Sequence, residues 1–290
     1  MKLLITPGDP GGIGPEVTAR ALASVDVGDV EIVGDRAAVL PWLERVGVDV
    51  PVIEPAGDGP VEVRSIEHAV RACVAGEAGA LVTGPIHKAK LAREGFAWPG
   101  HTDFLGHLTG VERPVMAFVG GRVRVALATV HLPLSAVPAA LDIPTVEHTI
   151  RAAHRALVDQ VGLVSPVLAV CGLNPHAGDE GLLGREEIEV IGPAVEACRA
   201  DGIDARGPMS AESAFLPDTG FDLIVAMYHD QGLVPLKALD FGRTVNWTLG
   251  LPIVRTSVDH GTAYDLVGTG RASPASMEAA LAWARRLVGG

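Results

Sequence analysis

Short apolar runs recur along the chain at 3–5, 30–33, 80–82, 115–119, 123–129, 167–171, 223–227 and 253–255. Most are apolar throughout rather than alternating, the pattern of strands covered on both faces. Helix-length segments lie between many of them. Apolar residues at helical spacing run from Thr145 to about Leu157 and from Glu186 to about Arg199, and Met277, Ala280, Leu281, Ala284, Leu287 and Val288 repeat the pattern behind a Ser273-Pro274 start signal. Gly120-Gly121-Arg122 between two runs predicts a hairpin, so part of the sheet is antiparallel. The expected class is α/β with a mixed sheet flanked by helices. No repeat, low-complexity linker or charge block marks a boundary, so two domains would require the chain to cross between them more than once.

Composition narrows the classes of function. The chain has 290 residues, of which 48% are hydrophobic, and a formal net charge of −12. That excludes disorder, and it argues against nucleic acid or an anionic membrane as the main partner, since both call for a positive surface. No apolar run approaches the roughly 18 residues of a membrane span, and the first apolar stretch is too short for a signal peptide. Cys73, Cys171 and Cys198 show no CxxC spacing and read as reduced core residues of a cytoplasmic protein.

Polar residues cluster where the apolar runs end, the place where open α/β sheets gather ligands. Gly8-Asp9-Pro10-Gly11-Gly12-Ile13-Gly14 forms a glycine-rich strand–loop–helix unit that is neither a dinucleotide fingerprint nor a P-loop. His101 and Thr102 open a helix, where free N–H groups attract a carboxylate or phosphate, and a plain helix cap is the competing reading. His131, His176 and His229 each follow a strand. A lone histidine is usually structural, but three at three strand ends can converge on a borderline divalent metal such as zinc. Lys237, Arg243, Asn246 and Arg255 follow the last of these, suiting a substrate with carboxylate and phosphate groups, against a background reading of surface charge.

Six motifs then follow in order: Gly8-Asp9-Pro10-x-Gly12-Ile13-Gly14-Pro15-Glu16, Thr83-Gly84-Pro85-Ile86-x-Lys88, Gly100-His101-Thr102-Asp103-Phe104-Leu105, Leu173-Asn174-Pro175-His176-Ala177-Gly178, Tyr228-His229-Asp230-Gln231-Gly232 and Arg255-Thr256-Ser257-Val258-Asp259-His260-Gly261-Thr262-Ala263. Together they resemble the 4-hydroxythreonine-4-phosphate dehydrogenase family of vitamin B6 biosynthesis. His87 stands where that family often has asparagine, either to contact a ligand or to cap a turn.

The resemblance implies a two-domain mixed-sheet fold similar to isocitrate and isopropylmalate dehydrogenases, with the active site in the interdomain cleft. The expected domains are 1–95 plus 235–290, and 96–234. It implies a homodimer with shared active sites, NAD or NADP as cofactor, and one divalent ion per site (zinc, magnesium or cobalt). By motif position His131, His176 and His229 would hold the metal, and His101, Thr102, Lys237, Asn246 and Arg255 the substrate. Asp230, Lys237 or Asp259 would accept the proton, and Asn174, Gly178 and Gly181 would lie near the cofactor. The expected reaction is oxidation of 4-phosphohydroxy-L-threonine to a β-keto acid that decarboxylates. Alternatives are a paralogue acting on 4-phospho-D-threonate or erythronate, and, more distantly, a metal-dependent phosphohydrolase or phosphate-ligand sensor.

Overall fold

The computed structural model describes residues 1–240 and 242–289. The chain divides into two compact units, Met1–Pro114 with Gly242–Gly290, and Val115–Phe241. Unit 1 begins β1 (Leu3–Thr6), α1 (Gly14–Leu22), β2 (Val30–Val33), α2 (Arg36–Val46), β3 (Val52–Ile53), α3 (Val61–Val74), β4 (Ala80–Thr83), α4 (Lys88–Arg93) and α5 (His101–Thr109). Unit 2 follows with β5 (Val115–Val119), β6 (Arg124–Leu127), α6 (Val137–Ala140), α7 (Ile143–Asp159), β7 (Val167–Cys171), α8 (Gly192–Ala200), β8 (Asp204–Met209), α9 (Ala211–Ala214), β9 (Leu223–Ala226) and α10 (His229–Asp240). The chain returns to unit 1 with β10 (Val245–Leu249), β11 (Val254–Ser257) and α11 (Ala275–Val288).

Among the described residues the strands of unit 1 lie in the order β3-β2-β1-β4-β11-β10. All neighbours are parallel except β10 and β11. Leu3, Ile5, Ile32, Ala80 and Val82 have no exposure, as continuous apolar strands covered on both faces require. In unit 2 the order is β5-β6-β9-β7-β8, with β5 and β6 joined as the expected antiparallel hairpin and the rest parallel. The mixed α/β class is therefore what the apolar runs indicated.

The expected domain edges at 95/96 and 234/235 differ from the observed division at Pro114/Val115 and Phe241/Gly242. Packing explains both shifts. Phe104 and Leu105 of α5 join a core with Ile66, Val70 and Leu81, so α5 belongs with α3 and β4. Leu233 and Leu236 of α10 pack against Val125, Leu127 and Ala226, so α10 stays with β6 and β9.

Candidate functional site

In unit 1, β4, β10 and β11 gather neutral polar side chains around one buried cation. Arg255 on β11 is 2% exposed. Its Nη2 donates to Thr83 Oγ1 at 2.6 Å, and its Nη1 to Thr248 Oγ1 at 2.9 Å and Asn246 Oδ1 at 3.3 Å. These partners are neutral, and Nε is sealed without one. Burial pulls the guanidinium down to about 9, because low polarity disfavours the charged form. Such a buried charge is normally held only against an opposite charge or a dense set of acceptors.

His101, the first residue of α5, lies in the same field. Its Nε2 is sealed and unpartnered. Burial, then repulsion from Arg255 and Lys88, holds the imidazole well below its ordinary 6.5. Gly100 ahead of it leaves room for Lys88, since a Cβ there would stand 3.1 Å from Lys88 Cε. The structure therefore brings together His101, Asn246 and Arg255 from the expected substrate set. Thr102 follows His101 in the first turn of α5. Lys237 is instead in the last turn of α10 in unit 2.

Thr83, Lys88 and Thr248 also belong to this site and lie outside the expected substrate set. The first two sit inside a recognised motif, which was the available signal. His87 caps α4, its Nδ1 accepting from the Lys90 N–H at 2.9 Å. The candidate acceptor Asp259 follows β11 half-buried, its N–H donating to Ser276 Oγ at 3.1 Å.

In unit 2, β6, β9 and β7 are adjacent and parallel, and each leads at its carboxyl end toward one of the three histidines. The rings of His131 and His229 stand 5.8 Å apart between centroids. His229 Nδ1 lies 2.7 Å from Asp230 Oδ1. His176 is placed differently, with Nδ1 3.9 Å from Glu212 Oε1. Among the described residues no group of three His, Cys, Asp or Glu is close enough to enclose an ion. Two imidazoles are thus brought together and the third stands apart from them.

The segment carrying His176 has an unusual backbone. His176, Ala177, Gly178, Asp179 and Glu180 all have left-handed dihedrals, with φ of 54°, 53°, 82°, 44° and 56°. A left-handed conformation costs a non-glycine residue roughly 1–2 kcal/mol, so four of them need external support. Asn174, expected near a cofactor, spends its side chain internally, with Nδ2 donating to Glu186 Oε2 at 2.7 Å and Glu187 Oε2 at 3.0 Å. Gly178 is required sterically, since a Cβ would lie 2.6 Å from Glu187 Oε2. Gly181 adopts φ of 95° as the segment turns back.

Gln231 and Gly232 explain the rest of the Tyr228–Gly232 motif. Gln231 ties the turn before α10 to the end of β7. A Cβ on Gly232 would meet Val125 Cγ1 at 2.7 Å and Leu127 Cδ2 at 2.9 Å, so glycine lets α10 press against β6. Among the described residues no helix is long and apolar enough to cross a membrane.

Comparison with known proteins gives the family of the chain. The family model for pyridoxal phosphate biosynthetic protein PdxA matches residues 21–284. A 4-hydroxythreonine-4-phosphate dehydrogenase of Aromatoleum aromaticum is 45% identical, over 99% of this chain and 96% of its own. The crystal structure of such a dehydrogenase from Klebsiella pneumoniae superposes with a TM-score of 0.91 at 35% identity, covering 99% of both chains. A terephthalate 1,2-cis-dihydrodiol dehydrogenase from Burkholderia xenovorans is 28% identical with a TM-score of 0.72, covering 100% of this chain and 98% of its own. From a match of this extent, the chain belongs to the family of pyridoxal phosphate biosynthetic protein PdxA and is an oxidoreductase.

Proposed function

We propose that this enzyme oxidises 4-phosphohydroxy-L-threonine at its secondary hydroxyl, giving a β-keto acid that loses carbon dioxide to form 3-amino-2-oxopropyl phosphate in pyridoxal 5'-phosphate biosynthesis. The observation that supports it best is the buried Arg255 guanidinium, whose hydrogen bonds go to neutral hydroxyl and amide groups, an arrangement that suits an anionic ligand. A substrate carrying phosphate and carboxylate supplies such an anion.

The donor chemistry fits a divalent ion of the zinc, magnesium or cobalt kind, with His131, His176 and His229 as its ligands. One chain pairs two of these rings. A homodimer with shared active sites would complete the set from a second copy. When bound, NAD (or NADP in its place) supplies the two-electron acceptor, and the ion supplies Lewis acidity toward the hydroxyl and carboxylate oxygens.

The chain's own residues have three tasks. Arg255, Asn246, His101, Thr102 and Lys237 hold the anionic ends and fix which C–H bond is presented. His101 does so as a neutral imidazole, since burial and the neighbouring cations keep the proton off it. Asp230, Asp259 or Lys237 takes the hydroxyl proton, directly or through a water. The segment carrying Asn174, Gly178 and Gly181 would lie near the cofactor.

The test is an assay of purified protein with NAD, a divalent ion and each candidate acid. NADH formation fastest with 4-phosphohydroxy-L-threonine is expected. Faster turnover of 4-phospho-D-threonate or erythronate overturns the substrate, and phosphate release without NADH overturns the redox chemistry.

A further inference from the structure

We propose that Glu187 is a positioning residue, the carboxylate that fixes the left-handed segment carrying His176 and so aims that imidazole. The proposal rests on the reading of His176 as a metal ligand. Glu187 opens the short wide-turn helix Glu187–Ile191 ahead of α8 and is 4% exposed. Its Oε1 accepts from the main-chain N–H groups of Leu173 and Asn174, both at 2.7 Å. Its Oε2 accepts from Asn174 Nδ2 at 3.0 Å.

Both glycines near this carboxylate are there to admit it. A Cβ on Gly172 would stand 2.9 Å from Oε1, and one on Gly178 would stand 2.6 Å from Oε2. The carboxylate therefore occupies a cradle made from the two ends of the segment, with His176 between them in sequence. A single acidic group satisfies the amides at the start of the turn and fills the space at its centre. Wide helical turns of this kind recur at functional sites. Groups that orient a metal ligand without touching the ion typically change affinity 10–100-fold when removed.

The experiment is zinc titration by calorimetry on the full chain, together with amide hydrogen exchange, for wild type, Glu187→Ala, Glu187→Gln, His176→Ala and the double variant. Glu187→Ala should weaken zinc binding about 10- to 100-fold and speed exchange across 173–183 alone. Glu187→Gln keeps an oxygen for the two amides and should recover most of the affinity. Should the alanine variant fail to fold, Glu187→Gln carries the test: having lost only the acceptor for Asn174 Nδ2, it should exchange modestly faster across 173–183 alone, and wild-type exchange there overturns the proposal.

Because Glu187 acts through His176, the double variant should bind no more weakly than His176→Ala. Wild-type zinc affinity in Glu187→Ala, or a double variant weaker by the full single-variant factor, overturns the proposal. If wild type takes up no zinc, the metal reading falls by itself. Exchange then decides the clamp: acceleration confined to 173–183 supports it, and unchanged exchange overturns it.

Discussion

Gln231 and Gly172 join two strand ends: the Gln231 Nε2 donates to the Gly172 carbonyl at 2.7 Å, while its Oε1 accepts from the Met227 N–H at 2.6 Å. One amide side chain thus fixes the start of α10, which carries His229, to the end of β7, which leads to His176. Gln231→Leu leaves both main-chain groups without these partners, each costing roughly 1–3 kcal/mol when buried. The expected result is a lower Tm together with weaker zinc binding, read by thermal melts and calorimetry.

Gln231→Glu separates the two ends of that link by pH. The new carboxylate still accepts from Met227 but faces the Gly172 carbonyl with an oxygen. Ionisation is disfavoured there, so the folded-state pKa rises above the unfolded value of about 4.3. Such a group binds more protons in the folded state, and stability falls as pH rises through that window. Melts of the variant against wild type from pH 4 to 8 should show a growing deficit. A constant deficit would mean that the Gly172 contact contributes nothing.

Arg255 predicts an anion-dependent stability. Orthophosphate should raise the Tm of wild type and leave Arg255→Met unaffected, because the neutral variant removes the charge that attracts the anion. Arg255→Lys keeps the charge but loses the planar fork that reaches Thr83, Thr248 and Asn246 at once. Hydrogen bonds to charged groups contribute roughly 1.5–3 kcal/mol, so kcat/KM should fall about 10- to 150-fold in the lysine variant.

The limits of the sequence follow from which contacts are local. Apolar runs located β1, β2, β4 to β7, β9 and β11 because burial on both faces leaves a continuous signature. β3 is two residues long and gives none. β8 ends in Gly207-Pro208-Met209 with its residues mostly part-exposed, which reads as a turn. β10 carries Asn246 and was legible only as a polar segment. In the candidate site, residue types that carry chemistry alone, such as histidine and arginine, could be named from the sequence. Thr83 and Gln231 lie inside motifs, but their roles depend on partners 172 and 59 residues away, while Glu187 and Thr248 lie outside every motif and nothing local separates them from any other polar residue.

His101 sets a pH dependence of stability. Its folded-state pKa lies well below the ordinary 6.5, through burial first and then the charges of Arg255 and Lys88. Below 6.5 the unfolded chain takes up a proton that the folded site refuses, so stability is lost as pH falls from that value toward the folded pKa. Above 6.5 both states are neutral and the contribution is flat. His101→Gln removes the titrating group while retaining polar capacity. Its Tm should fall less than that of wild type between pH 7.5 and 5, and parallel curves would show that His101 is not the residue refusing the proton. Bound orthophosphate should narrow the difference, since an anion beside Arg255 offsets the field that depresses the imidazole.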